Sequence, residues 1–204
     1  MADALPQLQM RRKLGSERFR HNDKDLDLTL LDFWRWYASD LVDNTKRGIL
    51  AEFIVANALG CLNEVCNLGD AYDLELTTGE KIEIKSAAYV QSWYQKKHSP
   101  IGFNIRPTRG WKASTGQMED ETKRQADIYI FCLLNHKDKE SIDPLNLDQW
   151  EFYILSASVL NQACPTQGRI GLTSLERLNP LKASYAEIRP CVEKVAQSLK
   201  KTVG

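Results

Sequence analysis

Apolar and polar positions alternate along the chain in three regimes: helical spacing first, then short extended segments, then helical spacing again. Residues 1–27 are polar and of mixed charge, and Arg11, Arg12, Lys13, Arg18 and Arg20 make their early part basic. Lacking an apolar period, they read as a flexible arm, with nucleic-acid contact as an alternative role. Beyond Thr29, a residue suited to capping, Leu30, Phe33, Trp34, Tyr37 and Leu41 recur at helical spacing and predict a helix over Leu30–Val42. Its aromatic stripe is expected to pack into the core. A second helix is expected over Thr45–Leu59, closed by Gly60. Extended segments follow at Ala71–Leu76, Lys81–Ser86, Ile101–Arg106, Ala126–Leu134 and Trp150–Leu155. Helical patterns return around Ser158–Gln162 and Ser174–Leu178. A last helix starts near Pro190, with Val192, Val195, Ala196 and Leu199 on one face. This order predicts an α/β sandwich around a mixed sheet, with residues 28–204 forming a single domain.

Within the second helix, only Glu52 and Asn57 interrupt the apolar stretch Gly48–Gly60. Ile49, Ala56 and Leu59 surround Glu52 on a helical wheel, so its carboxylate lies off any charged, solvated stripe. A carboxylate in such surroundings is costly unless a cation pairs with it or water reaches it. An ion pair with Arg47 or another cation is one explanation, and a position facing a cleft is the other.

The segment AYDLELTTGEKIEIK reads as two strands around a tight turn. With Thr77–Gly79 as the loop, Leu74 faces Ile82 and Asp73 faces Glu83. With Thr78–Glu80, Asp73 faces Lys85 instead. Either register keeps Leu74, Ile82 and Ile84 on one face and Asp73, Glu83 and Lys85 on the other, because side chains alternate along a strand. Two carboxylates facing each other across a ladder repel. A divalent cation between them removes the conflict, and Mg²⁺ favours one or two carboxylates completed by water and phosphate oxygens. Such an ion withdraws charge from a phosphoryl oxygen and lowers the pKa of bound water. Lys85, two residues beyond Glu83, would orient the nucleophile or stabilise developing charge.

Asp73, then Glu83-Ile84-Lys85 on the next strand, with Glu52 on the preceding helix, resembles the PD-(D/E)xK nuclease superfamily over roughly Thr45–Gln95. Tyr72 stands where the motif's name has proline. The resemblance implies a restriction endonuclease-like α/β core, a mixed sheet flanked by helices. It also implies a phosphodiesterase dependent on Mg²⁺ or Mn²⁺, with Asp73 and Glu83 as metal ligands, Lys85 as catalytic lysine and Glu52 as the helix acid. Some members of the superfamily place a glutamine after the lysine motif, and Gln91 is the corresponding candidate here.

Between Ser86 and Met118 the chain has no acidic residue, while Lys96, Lys97, Arg106, Arg109 and Lys112 lie among Trp93, Tyr94, Phe103 and Trp111. Cations interleaved with aromatics suit a phosphate backbone and exposed bases, so this segment is the candidate nucleic-acid surface. Solvated loop charge and core aromatics would give the same composition.

Overall charge is balanced, with 27 basic and 27 acidic residues, unlike the strong positive charge common in dedicated nucleic-acid binders. Five scattered cysteines form no CxxC pair, which argues for free thiols over structural zinc. No Walker-type loop, GxSxG elbow or HExxH motif occurs. Without a membrane-length apolar run or signal-like stretch, the expected location is the cytoplasm. The expected protein is a metal-dependent endonuclease whose partner is nucleic acid, DNA before RNA, with pairing into a homodimer left open and no membrane partner. A nuclease-like module that grips nucleic acid or protein without cutting is the alternative.

Overall fold

The computed structural model describes residues 8–62, 71–112 and 116–202. Its first elements are a hairpin of Arg18–His21 (β1) and Lys24–Thr29 (β2), where composition alone suggests an irregular arm. The reason is the turn: Asn22 and Asp23 both take positive φ, 48° and 59°, the geometry of a tight two-residue hairpin connection. Helix α1 (Leu30–Ala38) follows at once, its N-terminus closed by a reciprocal capping box between Thr29 and Asp32. It stops at Ala38 and does not reach Val42, because the Asp40 carboxylate accepts from the Val42 and Asp43 backbone N–H groups and turns the chain. The aromatic stripe of α1 is not core: no residue of this helix is buried. Periodicity identified an apolar face correctly but said nothing about what would cover it.

Asp43 caps α2 (Asn44–Leu59), which ends at Gly60 in the left-handed conformation, φ 76°. Next come β3 (Leu74–Glu75), β4 (Lys81–Ala88), β5 (Gly102–Asn104), β6 (Thr108–Lys112), β7 (Gln117–Lys123), β8 (Ile128–Leu134) and β9 (Trp150–Ser156). After α3 (Ala157–Ala163), β10 (Arg169–Gly171), α4 (Leu172–Glu176) and β11 (Leu181–Ala183), helix α5 (Ile188–Thr202) ends the described chain. Five strands form the central mixed sheet in the order β11-β9-β8-β4-β3, with β4 and β8 parallel and the other neighbours antiparallel.

Both faces of this sheet are covered, which is why β8 is buried along its entire length and reads as a continuous apolar run. On one face Ile82, Ile84, Ile130 and Phe152 pack against Ala51, Val55 and Leu59 of α2 and Ile188 and Val192 of α5. On the other, Ala87, Phe131 and Tyr153 pack against Phe103 of β5, Leu160 of α3 and Leu175 of α4. Strand alternation therefore assigns Glu83 and Lys85, which share parity with Ala87, to the second face. Among the described residues, no helix is long and apolar enough to cross a membrane. Cys61, Cys132, Cys164 and Cys191 are free thiols, and Cys66 lies outside the described residues.

Candidate active site

The hairpin that carries the acids turns through Thr77–Gly79, and Gly79 takes φ 92°, a conformation that suits glycine. Leu74 pairs with Ile82 and Glu75 with Lys81, so the chain adopts the register that sets Asp73 across from Glu83. Ile82 and Ile84 are buried against α2, which turns Glu83 and Lys85 to the opposite face. There the Lys85 ammonium lies against the Glu83 carboxylate and 3.9 Å from Asp73 Oδ2. Asp73 Oδ2 also accepts a hydrogen bond from the Ile84 backbone N–H at 2.6 Å, which fixes the carboxylate's direction. The three side chains are only 19–27% exposed, so the charges are largely withdrawn from water yet reachable from it.

That partial burial governs their proton affinity. Desolvation raises the Asp73 pKa against the opposing pull of Lys85 and the Ile84 N–H. Glu83 is raised by desolvation first and by the nearby Asp73 charge second. Burial alone would lower the Lys85 pKa, but Asp73, Glu83 and Glu52 together outweigh it and lift the ammonium above its ordinary value. Lys85 is therefore a fixed positive charge at neutral pH. Tyr129 adjoins Glu83 in the parallel β4–β8 pair, and burial with the neighbouring acid charge keeps its phenol neutral.

Glu52 is half-buried on α2 and acts on Lys85 through its charge. Among the described residues, no group of three or more His, Cys, Asp or Glu side chains converges as a metal-binding group. Arg47, weighed as its ion-pair partner, turns elsewhere. The Arg47 guanidinium, 2% exposed, donates to Ser86 Oγ at 3.1 Å, Val42 O at 2.8 Å, Asn44 Oδ1 at 2.7 Å and Gln91 Oε1 at 3.3 Å. Desolvation lowers its pKa to about 10, which leaves it charged. Gln91 is buried, donates to Ala88 O at 3.0 Å and accepts from Arg47. Its side chain braces the end of β4 and is not among the contacts that join Asp73, Glu83 and Lys85. Arg47 and Ser86 escape sequence reasoning because their link spans 39 positions. The only local signal is the Lys46-Arg47 pair of cations at the head of an apolar helix.

The downstream basic and aromatic residues divide into two groups. Trp93, Tyr94, Lys96 and Lys97 are exposed on the loop after β4, Tyr94 more than Trp93. Arg106 is exposed beyond β5. Arg109 on β6 is met by the acidic strand β7, donating to Glu119 O at 2.7 Å and pairing with Asp120 at 3.3 Å. The acids absent from the sequence before Met118 thus fold back onto that strand and reduce its local charge. Phe103 is core, and the side chain of Lys112 lies outside those described.

A mixed sheet flanked by helices, with two carboxylates and a lysine converging at its antiparallel edge hairpin, defines an α/β nuclease-like core. Residues 2–169 match the family model of bacteriophage T4 endonuclease IV. The chain belongs to that family and is a nuclease by that membership. No curated protein matches the chain.

Proposed function

We propose that this protein is a metal-dependent DNA endonuclease of PD-(D/E)xK type, with Asp73, Glu83 and Lys85 as its catalytic group. The observation that carries this reading is the convergence of two partly buried carboxylates, Asp73 fixed in direction by the Ile84 N–H, on the protonated Lys85. Family membership supports the nuclease class, and the family's name supplies the endonuclease reading.

The donor set fits Mg²⁺ or Mn²⁺. Asp73 and Glu83 are hard oxygen ligands whose charges burial and mutual repulsion disfavour, and a small dication accepts one or two carboxylates with water and phosphate oxygens filling the rest. When bound, such an ion supplies charge withdrawal from a phosphoryl oxygen and a more acidic water. Lys85 supplies the fixed cation. Held protonated beside the two acids, it is placed to neutralise charge on the phosphate. Glu52 sustains that protonation from α2, and Tyr129 bounds the site with a neutral phenol.

Lys85→Ala is expected to lower the cleavage rate by at least 10²-fold while circular dichroism stays unchanged. The assay is cleavage of supercoiled, linear, branched and single-stranded DNA, with matched RNA, in Mg²⁺ and Mn²⁺. Undiminished cleavage by the purified variant would exclude the assignment. Absence of both cleavage and metal uptake in the wild type would favour a nuclease-like binding module.

A further inference from the structure

Among the described residues, the hairpin and first helix carry a set of large apolar side chains that stay exposed. Strand alternation gives the β1–β2 hairpin two unlike faces. Arg18 pairs with Asp27 at 3.5 Å and Arg20 with Asp25 at 2.9 Å on one face, and Phe19, Leu26 and Leu28 occupy the other. These three are 41–43% exposed, as are Phe33 and Tyr37 of α1 at 41% and 44%, and Trp36 reaches 81%. A two-stranded hairpin is marginal in water unless something packs against it.

We propose that residues 15–38 form a dimerisation surface whose occupant is the same module of a second copy of this chain. Extent is the first argument. At the exposures above, six such side chains present roughly 600 Å² of apolar surface, the upper end of what a monomer displays and most of the ~800 Å² per partner in a stable interface. Charge is the second. Residues 15–38 hold four cations (Arg18, Arg20, Lys24, Arg35) against five acids (Glu17, Asp23, Asp25, Asp27, Asp32), a net charge of −1. Arg18, Arg20 and Arg35 are already paired with Asp27, Asp25 and Asp32, so the module offers a phosphate backbone little positive charge. An apolar face is complementary to a second copy of itself about a twofold axis, as an interface between identical copies requires. The inference is independent of the nuclease reading.

Sedimentation velocity on the full chain at ~10–50 µM, a range that detects micromolar association, tests it. The expected species has twice the 23.3 kDa chain mass. Trp36→Glu with Leu28→Lys, both at exposed positions, is expected to weaken self-association at least tenfold with unchanged circular dichroism. Phe33→Ser is a second, milder variant should the double substitution fail to fold. Lys85→Ala is expected to dimerise like the wild type, which separates this surface from the catalytic group. A monomeric wild type, or a dimer that none of these surface substitutions weakens, overturns the proposal. A monomer whose Trp36→Glu variant loses DNA binding also overturns it, by assigning the patch to nucleic acid.

Discussion

Asp73, Glu83 and Lys85 set the local electrostatics, and the two acids oppose folding when ionised. A carboxyl group whose pKa is raised in the folded chain binds its proton more tightly there than in the unfolded chain. Stability contributed by that proton is present at low pH and declines as pH rises from the unfolded value, near 4.3 for glutamate, through the folded one. Glu83→Gln removes one of the facing charges while keeping size and a hydrogen-bonding oxygen. It is expected to stabilise the metal-free protein at pH 8 by about 0.5 kcal/mol, the scale of a like-charge pair across a ladder. The gain should disappear near pH 4, where the wild-type acid is itself protonated. Thermal unfolding of both proteins across that range is the measurement. A gain that persists unchanged at pH 4 would show that the Glu83 charge is not the source.

Helix α2 presents two glycines with opposite expectations. Gly48 lies within the helix, and a Cβ there would meet no atom within 4 Å. Gly48→Ala is therefore expected to stabilise by about 0.5–1 kcal/mol through helix propensity and a less flexible unfolded chain. Gly60 terminates the same helix at φ 76°, and a Cβ there would stand 3.0 Å from Arg189. Gly60→Ala is expected to destabilise by about 1 kcal/mol through strain in the left-handed conformation and crowding. Urea denaturation of the two variants checks both signs. These contrasts mark what pattern can disclose. The Gly60 stop, the α2 boundaries and the shared face of Asp73, Glu83 and Lys85 were legible, because local conformation and period-two alternation determine them. The β6–β7 hairpin was not, because its charged, largely exposed residues carry no apolar alternation. The β1–β2 hairpin hid behind polar composition and an Asn-Asp turn. Arg47 hid for a different reason: its four acceptors meet only once α2 packs beside the end of β4. Periodicity located the aromatic face of α1, but burial depends on which surface arrives opposite it.

For the whole molecule, a net charge of zero leaves DNA affinity to the spatial separation of charges. Lys96 and Lys97 are exposed on the loop after β4, whereas Arg109 is already engaged by Asp120 and the Glu119 carbonyl. Cations that meet phosphate release counterions, so each adds about 0.7–0.9 to the slope of log affinity against log salt concentration. An arginine already paired with an acid must first break that pair, and its net contribution is smaller. Lys96→Ala with Lys97→Ala is therefore expected to flatten the salt dependence of DNA binding by roughly 1.4–1.8, the sum for two phosphate contacts. Arg109→Ala is expected to change it by less than one contact's worth. Binding titrations of the cleavage-deficient Lys85→Ala protein, from 50 to 200 mM salt, measure both without loss of substrate. Equal slopes for the lysine variant and its parent would remove the loop after β4 from the DNA path. A larger effect from Arg109 would instead carry the path over β6 and require Asp120 to yield its partner to the phosphate.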